Sequence, residues 1–163
     1  NLTRTSNCHM LFTPALPSKK GIRHRPLVES RMVCFYDSEV RSPPVTMEEY
    51  LAARYVDVRF STTESSQQVL PASLLAELEE PTLAVPNFNA VPAFIKGTDL
   101  ITTQLHVMEH GSLRGLAWAP LPVPVDPLHL HLLWHERYEH DSAHRWFRER
   151  IVETAREIVS SHS

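Results

Sequence analysis

Side chains able to hold a small molecule gather where three apolar runs end. Arg59 and Ser61 close the run 55–60, Asn87 and Asn89 follow the run 82–85, and Thr102 to Gln104 follow Leu100 and Ile101. Together they offer a guanidinium, hydroxyls and amides, donors suited to a small carboxylate or a phenol. Phe60 and Phe88 stand beside them as covers for a ring, and Thr98 with Asp99 adds polar groups in a neighbouring loop. Plainer roles compete. Asn87 or Asn89 also reads as a helix cap, and Thr98-Asp99 as a turn.

Other chemistries find less support. Ten histidines occur, five of them between His129 and His144. His129 and His131 share a strand face, and His140 and His144 a helical one. No cysteine joins them and no HExxH spacing appears, so cleft and surface histidines are the better reading and no metal is expected. Nucleophilic catalysis lacks a GxSxG elbow, and Cys8 and Cys34 lie in an unplaced segment and an apolar strand. Four glycines build no phosphate loop. The expectation is a binding module that is not an enzyme and takes no cofactor.

The ligand candidates need a scaffold, and residues 82–103 supply its centre. Thr82 to Val85 reads as a short strand stopped by Pro86-Asn87. A helix follows, with Pro92 allowed in its first turn and Phe94 and Ile95 as its apolar surface. Gly97 offers a left-handed stop before Leu100-Ile101 opens the next strand. Strand, helix and strand this tight form a parallel crossover. If the run 55–60 is also parallel, all three polar ends lie on one edge of the sheet, where open α/β sheets bind ligands.

This stretch resembles the effector-binding region of LysR-type transcriptional regulators, in the branch that senses small aromatics. That branch carries a "VPHF" type motif followed by "AVPALVAGTDLIATLP". Here Val85-Pro86-Asn87-Phe88, residues 90–95 and residues 97–103 correspond. Residues 46–51 resemble its "TLEEYL", and residues 133–137 with 142–146 its "LVWHER…DPAHRWLRE". Asn87 stands where the branch has His, which keeps a hydrogen-bonding group without its cation, and Leu105 stands where it has the proline of "TLP".

The resemblance implies an α/β, type II periplasmic-binding-protein-like fold. Two Rossmann-like lobes are joined by a hinge, the first lobe being incomplete at its N-terminus. Residues 1–40 and 124–163 would form lobe I, and residues 41–123 lobe II. It implies an effector site between the lobes, expected at Arg59, Phe60, Ser61, Asn87, Phe88, Thr98 and Thr102. It further implies self-association as a dimer or tetramer, and DNA contact only through a helix-turn-helix that this sequence does not contain. A solute-binding protein of a transport system would use the same fold.

Residues 9–13 form a possible strand, followed by a loop containing Pro, Lys and Gly through Gly21. Residues 31–36 read as a buried parallel strand because Val33, Cys34 and Phe35 are contiguous. Pro43-Pro44 breaks the chain as a first crossing. Thr46 opens a helix with a capping box to Glu49, and Val45 is placed to staple onto Tyr50. Residues 55–60 alternate as a strand with one covered face, residues 61–66 are polar, and residues 69–78 read as helix with Pro71 in the first turn. After the central unit come a short helix 106–110 ended by Gly111, a strand 116–121, and a stiff connection through Pro120, Pro122, Pro124 and Pro127. A strand 128–135 precedes a last helix capped by Asp141 or Ser142. Its apolar stripe would be Ala143, Phe147, Ile151, Ala155 and Ile158, with Arg148 turned away.

The 163 residues suffice for one domain with a core, and 42% apolar with 21% charged residues is ordinary for a globular protein. A net charge of -3 supplies no basic field for nucleic acid. No apolar run reaches membrane-spanning length and no signal peptide opens the chain, so a cytoplasmic protein without membrane contact is expected. Two distant cysteines fit a reducing compartment.

Overall fold

The computed structural model describes residues 9–14, 20–61 and 64–160. Expectations for residues 1–8, for the loop at 15–19 and for residues 62–63 lie outside the described residues. The chain divides into two compact units, Asn1–Ser30 with Leu128–Ser163, and Arg31–Pro127.

In the first unit β1 (Met10–Thr13), β2 (Ile22–Ser30) and β8 (Leu128–His135) form a sheet ordered β1-β8-β2, antiparallel throughout. β2 has no counterpart in the sequence reading, which assigns no element between Gly21 and Arg31. Its register slips between Pro26 and Val28, and β2 is the edge of the sheet, so Pro26 removes no ladder bond that a central strand would need. The helix α4 (Ser142–Ser160) packs on β2. Its buried row is His144, Arg148 and Val152, one step round from the expected stripe, and Phe147 is 51% exposed. Arg148 is buried because its Nη atoms donate to the Tyr138 and Glu139 carbonyls at 3.0 and 3.1 Å, and its guanidinium lies 4.6 Å over the Trp134 ring.

The second unit holds the ligand candidates. β3 (Met32–Tyr36) pairs with β6 (Thr102–Leu105) on one side and β7 (Ala117–Pro120) on the other, both antiparallel. The contiguous apolar run was therefore a true sign of burial and a false sign of parallel pairing. β4 (Val56–Val58) and β5 (Leu83–Val85) pair in parallel. A parallel bridge between Tyr55 and Ile101, with Val56 N donating to Ile101 O at 2.8 Å, sets β4 beside β6. The order is thus β5-β4-β6-β3-β7.

Local chemistry fixes the helices. α1 (Met47–Ala52) has the expected capping box: Glu49 N donates to Thr46 Oγ1 and Thr46 N to Glu49 Oε2, both at 3.2 Å. Val45 is 70% exposed and staples nothing, while Tyr50 is buried with its hydroxyl 2.6 Å from Thr103 Oγ1. α2 (Ala72–Glu77) begins directly after Pro71, and α3 (Val91–Ile95) carries Pro92 in its first turn. Gly97 ends that turn at φ 75°, the left-handed region that a side chain disfavours. Val33, Phe35, Val56, Val58, Val91 and Ile95 make the core between sheet and α3.

Candidate functional site

β4 and β5 leave the sheet together. Val58 stands beside Val85, and Arg59 N donates to Val85 O at 3.0 Å, so Arg59-Phe60 and Pro86-Asn87-Phe88 emerge at one edge. There the Phe60 and Phe88 rings meet edge to face, 5.6 Å between centroids, and Phe60 is 54% exposed. The Asn87 carbonyl oxygen accepts from Ala90 N at 3.1 Å and caps a 3-10 turn at Phe88–Ala90. Its amide nitrogen is not used in that cap, so one side chain both starts the turn and keeps donors at the edge. Ser61 Oγ accepts from Glu64 N at 3.1 Å and tightens the turn after β4.

Arg59 is less available than its type promised. Its Nε donates to Asp57 Oδ2 at 3.1 Å and its Nη2 to Glu80 Oε2 at 2.9 Å, and these two carboxylates, Glu80 first, raise its basicity further. Asp57 is the residue that sequence reasoning missed. It lies between Val56 and Val58 in a strand covered on both faces, not one, and is itself buried. Ser65 Oγ lies 2.8 Å from each of its oxygens, and Ser66 Oγ donates to Oδ1 at 3.4 Å. Gln104 Nε2 then bonds Ser66 Oγ at 2.9 Å and Thr102 Oγ1 at 3.2 Å. A charged residue inside an apolar run was the available signal. An open hollow of about 360 Å³ borders this network, with Tyr55, Arg59, Gln67 and Glu79 on its walls.

Five of the seven expected residues, Arg59, Phe60, Ser61, Asn87 and Phe88, thus share the edge. Thr102 does not: it begins β6 and does not end it, is fully buried, and donates to Val56 O at 2.9 Å. Thr98 follows α3 back across the sheet to the opposite edge, where its hydroxyl donates to Phe94 O at 2.7 Å. Near it Gly97 N donates to Asp37 Oδ2, and Arg54 pairs with Asp99. Hydrogen bonds from Gly97 and Glu39 amides hold the Asp37 carboxyl below its ordinary range, and Arg54 does the same for Asp99.

The histidines are engaged separately. His129 faces Glu29 at 3.7 Å, His131 meets His24 edge to face, and His144 Nδ1 lies 2.6 Å from Arg148. Among the described residues no group of three or more His, Cys, Asp or Glu is placed to hold a metal ion. Burial pushes the Cys34 thiol up to about 12, which leaves no nucleophile there. Among the described residues no helix is long and apolar enough to cross a membrane.

Comparison with known proteins agrees with this architecture. Nodulation protein D 2 of Rhizobium tropici is 29% identical over 145 residues, covering 84% of this chain and 45% of that protein. The HTH-type transcriptional activator NahR of Pseudomonas putida is 26% identical over 133 residues, covering 79% of this chain and 44% of that protein. The chain therefore spans less than half the length of these two relatives. The regulatory domain of MexT, a transcriptional activator in Pseudomonas aeruginosa, has the same fold at TM-score 0.67 and 21% identity, over 88% of this chain and 70% of that one. The periplasmic-binding-protein-like α/β architecture holds. The LysR substrate binding domain profile matches residues 4–156. With nearly its whole length inside that match, the chain belongs to the LysR substrate-binding domain family.

Proposed function

We propose that this chain is the effector-sensing part of a cytoplasmic LysR-type transcription regulator. It takes a small aromatic or carboxylate molecule at the edge where β4 and β5 end. The observation that carries this is the Phe60–Phe88 pair, Phe60 exposed and Phe88 half-buried against the core, beside the Asn87 amide: an apolar wall next to a donor. Arg59 and Ser61 shape the same edge. The similarity to NahR and MexT, both transcriptional activators, supports regulation over the solute-transport alternative. A ligand preferring one conformation shifts the population toward it and so alters the geometry of a dimer or tetramer held on DNA by a helix-turn-helix domain. No catalytic step is needed.

Calorimetry with benzoate and related small aromatic acids tests the site through Asn87. Asn87→Ala should weaken binding about ten- to a hundredfold, the cost of one donor to a charged group, roughly 1.5 to 3 kcal/mol. Asn87→Asp keeps the cap and should retain stability while losing affinity. Equal affinity in all three proteins would make Asn87 a cap alone and put the site elsewhere.

A further inference from the structure

We propose that the hollow where β6, β3 and β7 reach this same edge binds a flat organic anion, its ring against His106 and Trp118 and its carboxylate on Arg31. The proposal rests on the reading of the chain as a sensor of a small organic molecule, and it names the ligand class and its anchoring cation. The register puts these residues on that edge. β6 is parallel to β4 and ends at Leu105, opposite Met32 at the start of β3, while Pro120 at the end of β7 stands opposite Val33. His106 N donates to Arg31 O at 2.8 Å and ties the two strand ends together.

The walls are suited to a ring. The His106 and Trp118 rings lie 4.0 Å apart between centroids at an angle of 59°, and Trp118 remains 40% exposed. The segment 120–127 continues the lining, and its four prolines bring no N–H and little freedom, so this wall offers few donors and is preset. The cavity of about 730 Å³ lies in the range that small-molecule sites occupy.

Charge decides what enters. The smaller hollow beside Arg59 sets four carboxylates, Asp57, Glu64, Glu79 and Glu80, against one guanidinium that two of them already hold. That hollow, which Phe60, Asn87 and Phe88 do not line, repels an organic anion. In the larger hollow Arg31 makes no ion pair among the described residues, and Asp126 is the one carboxylate of the lining. Glu109 sits behind His106, its Oε1 2.9 Å from Nε2. Arg31 thus draws the charged end of the ligand, and Asp126 turns that end away from the proline wall. A planar guanidinium matches a carboxylate with two parallel hydrogen bonds.

Amide and indole resonances of the isotope-labelled chain, followed by NMR during titration with benzoate or neutral benzamide, test this. Benzoate should shift Arg31, Met32, His106 and the Trp118 indole, and bind at least ten times more tightly than benzamide. Arg31→Gln should lower benzoate affinity about ten- to a hundredfold and leave benzamide unchanged, and Arg31→Lys should retain part of the affinity. Lys96→Gln at the opposite edge should leave both unchanged. Should Arg31→Gln fail to fold, the benzoate-to-benzamide ratio of the unaltered chain still decides, and a ratio near one overturns the proposal. Shifts confined to Arg59, Phe60, Asn87 and Phe88 overturn it while leaving the sensor reading standing. Silence with both probes across a folded spectrum overturns the proposal and aromatic sensing together.

Discussion

Asp57 shows how a residue acquires a role that its neighbours in sequence do not announce. Its carboxylate is buried between two valines and survives because Ser65, Ser66 and Arg59 satisfy it. Asp57→Ala would leave the part-buried Ser65 and Ser66 hydroxyls without this acceptor, and the urea midpoint should fall by the equivalent of about 1 to 3 kcal/mol. Arg59, being partly exposed, can turn to water and adds little to that loss. An unchanged midpoint would mean that water replaces the carboxylate. The Thr46–Glu49 capping box was legible in sequence because both partners lie within one turn. Asp57 was not, since its cradle draws on a loop eight and nine residues on, and that loop is tied to Gln104 in another strand. Thr102 misled for the opposite reason. A threonine near a strand end looks like a ligand donor until the strand's extent shows it bonded inside the sheet.

At the scale of elements, spacing found the helices and register decided what they cover. The stripe at Ala143, Phe147 and Ile151 is a real apolar periodicity, yet the helix buries the adjacent row with Arg148 at its middle. No hydropathy pattern selects an arginine for burial. Its acceptors are the Tyr138 and Glu139 carbonyls where a 3-10 turn at Glu136–Tyr138 ends, and its apolar support is Trp134. Phe147→Ala should therefore cost less than about 1 kcal/mol, well under the 3 to 5 kcal/mol of a fully buried ring. Arg148→Lys should cost about 1.5 to 3 kcal/mol, because one ammonium cannot span both carbonyls. Thermal unfolding of the two variants separates the cases, and a larger loss at Phe147 would restore the expected stripe as the packed face. The same limit applied to β3, where apolar contiguity revealed burial and only the pairing revealed direction.

For the whole molecule the deciding quantity is charge. Specific DNA binders neutralise several phosphates with clustered Lys and Arg, and the released counterions give a steep dependence on salt. This chain carries 16 basic against 19 acidic residues, a net charge of -3. Three of its arginines are also spent internally: Arg59 on Asp57 and Glu80, Arg54 on Asp99, Arg148 on backbone carbonyls. The 163 residues alone should therefore leave duplex DNA unretarded at low salt, where a basic patch would act most strongly, and should do so with or without benzoate. Fluorescence anisotropy of a labelled duplex across a salt series measures this directly. Binding that weakens linearly with the logarithm of salt would reveal a phosphate-contacting surface in this domain. It would also remove the reason for assigning DNA recognition to a separate helix-turn-helix. A flat response at every salt concentration is the outcome that the proposed sensor reading requires of this domain.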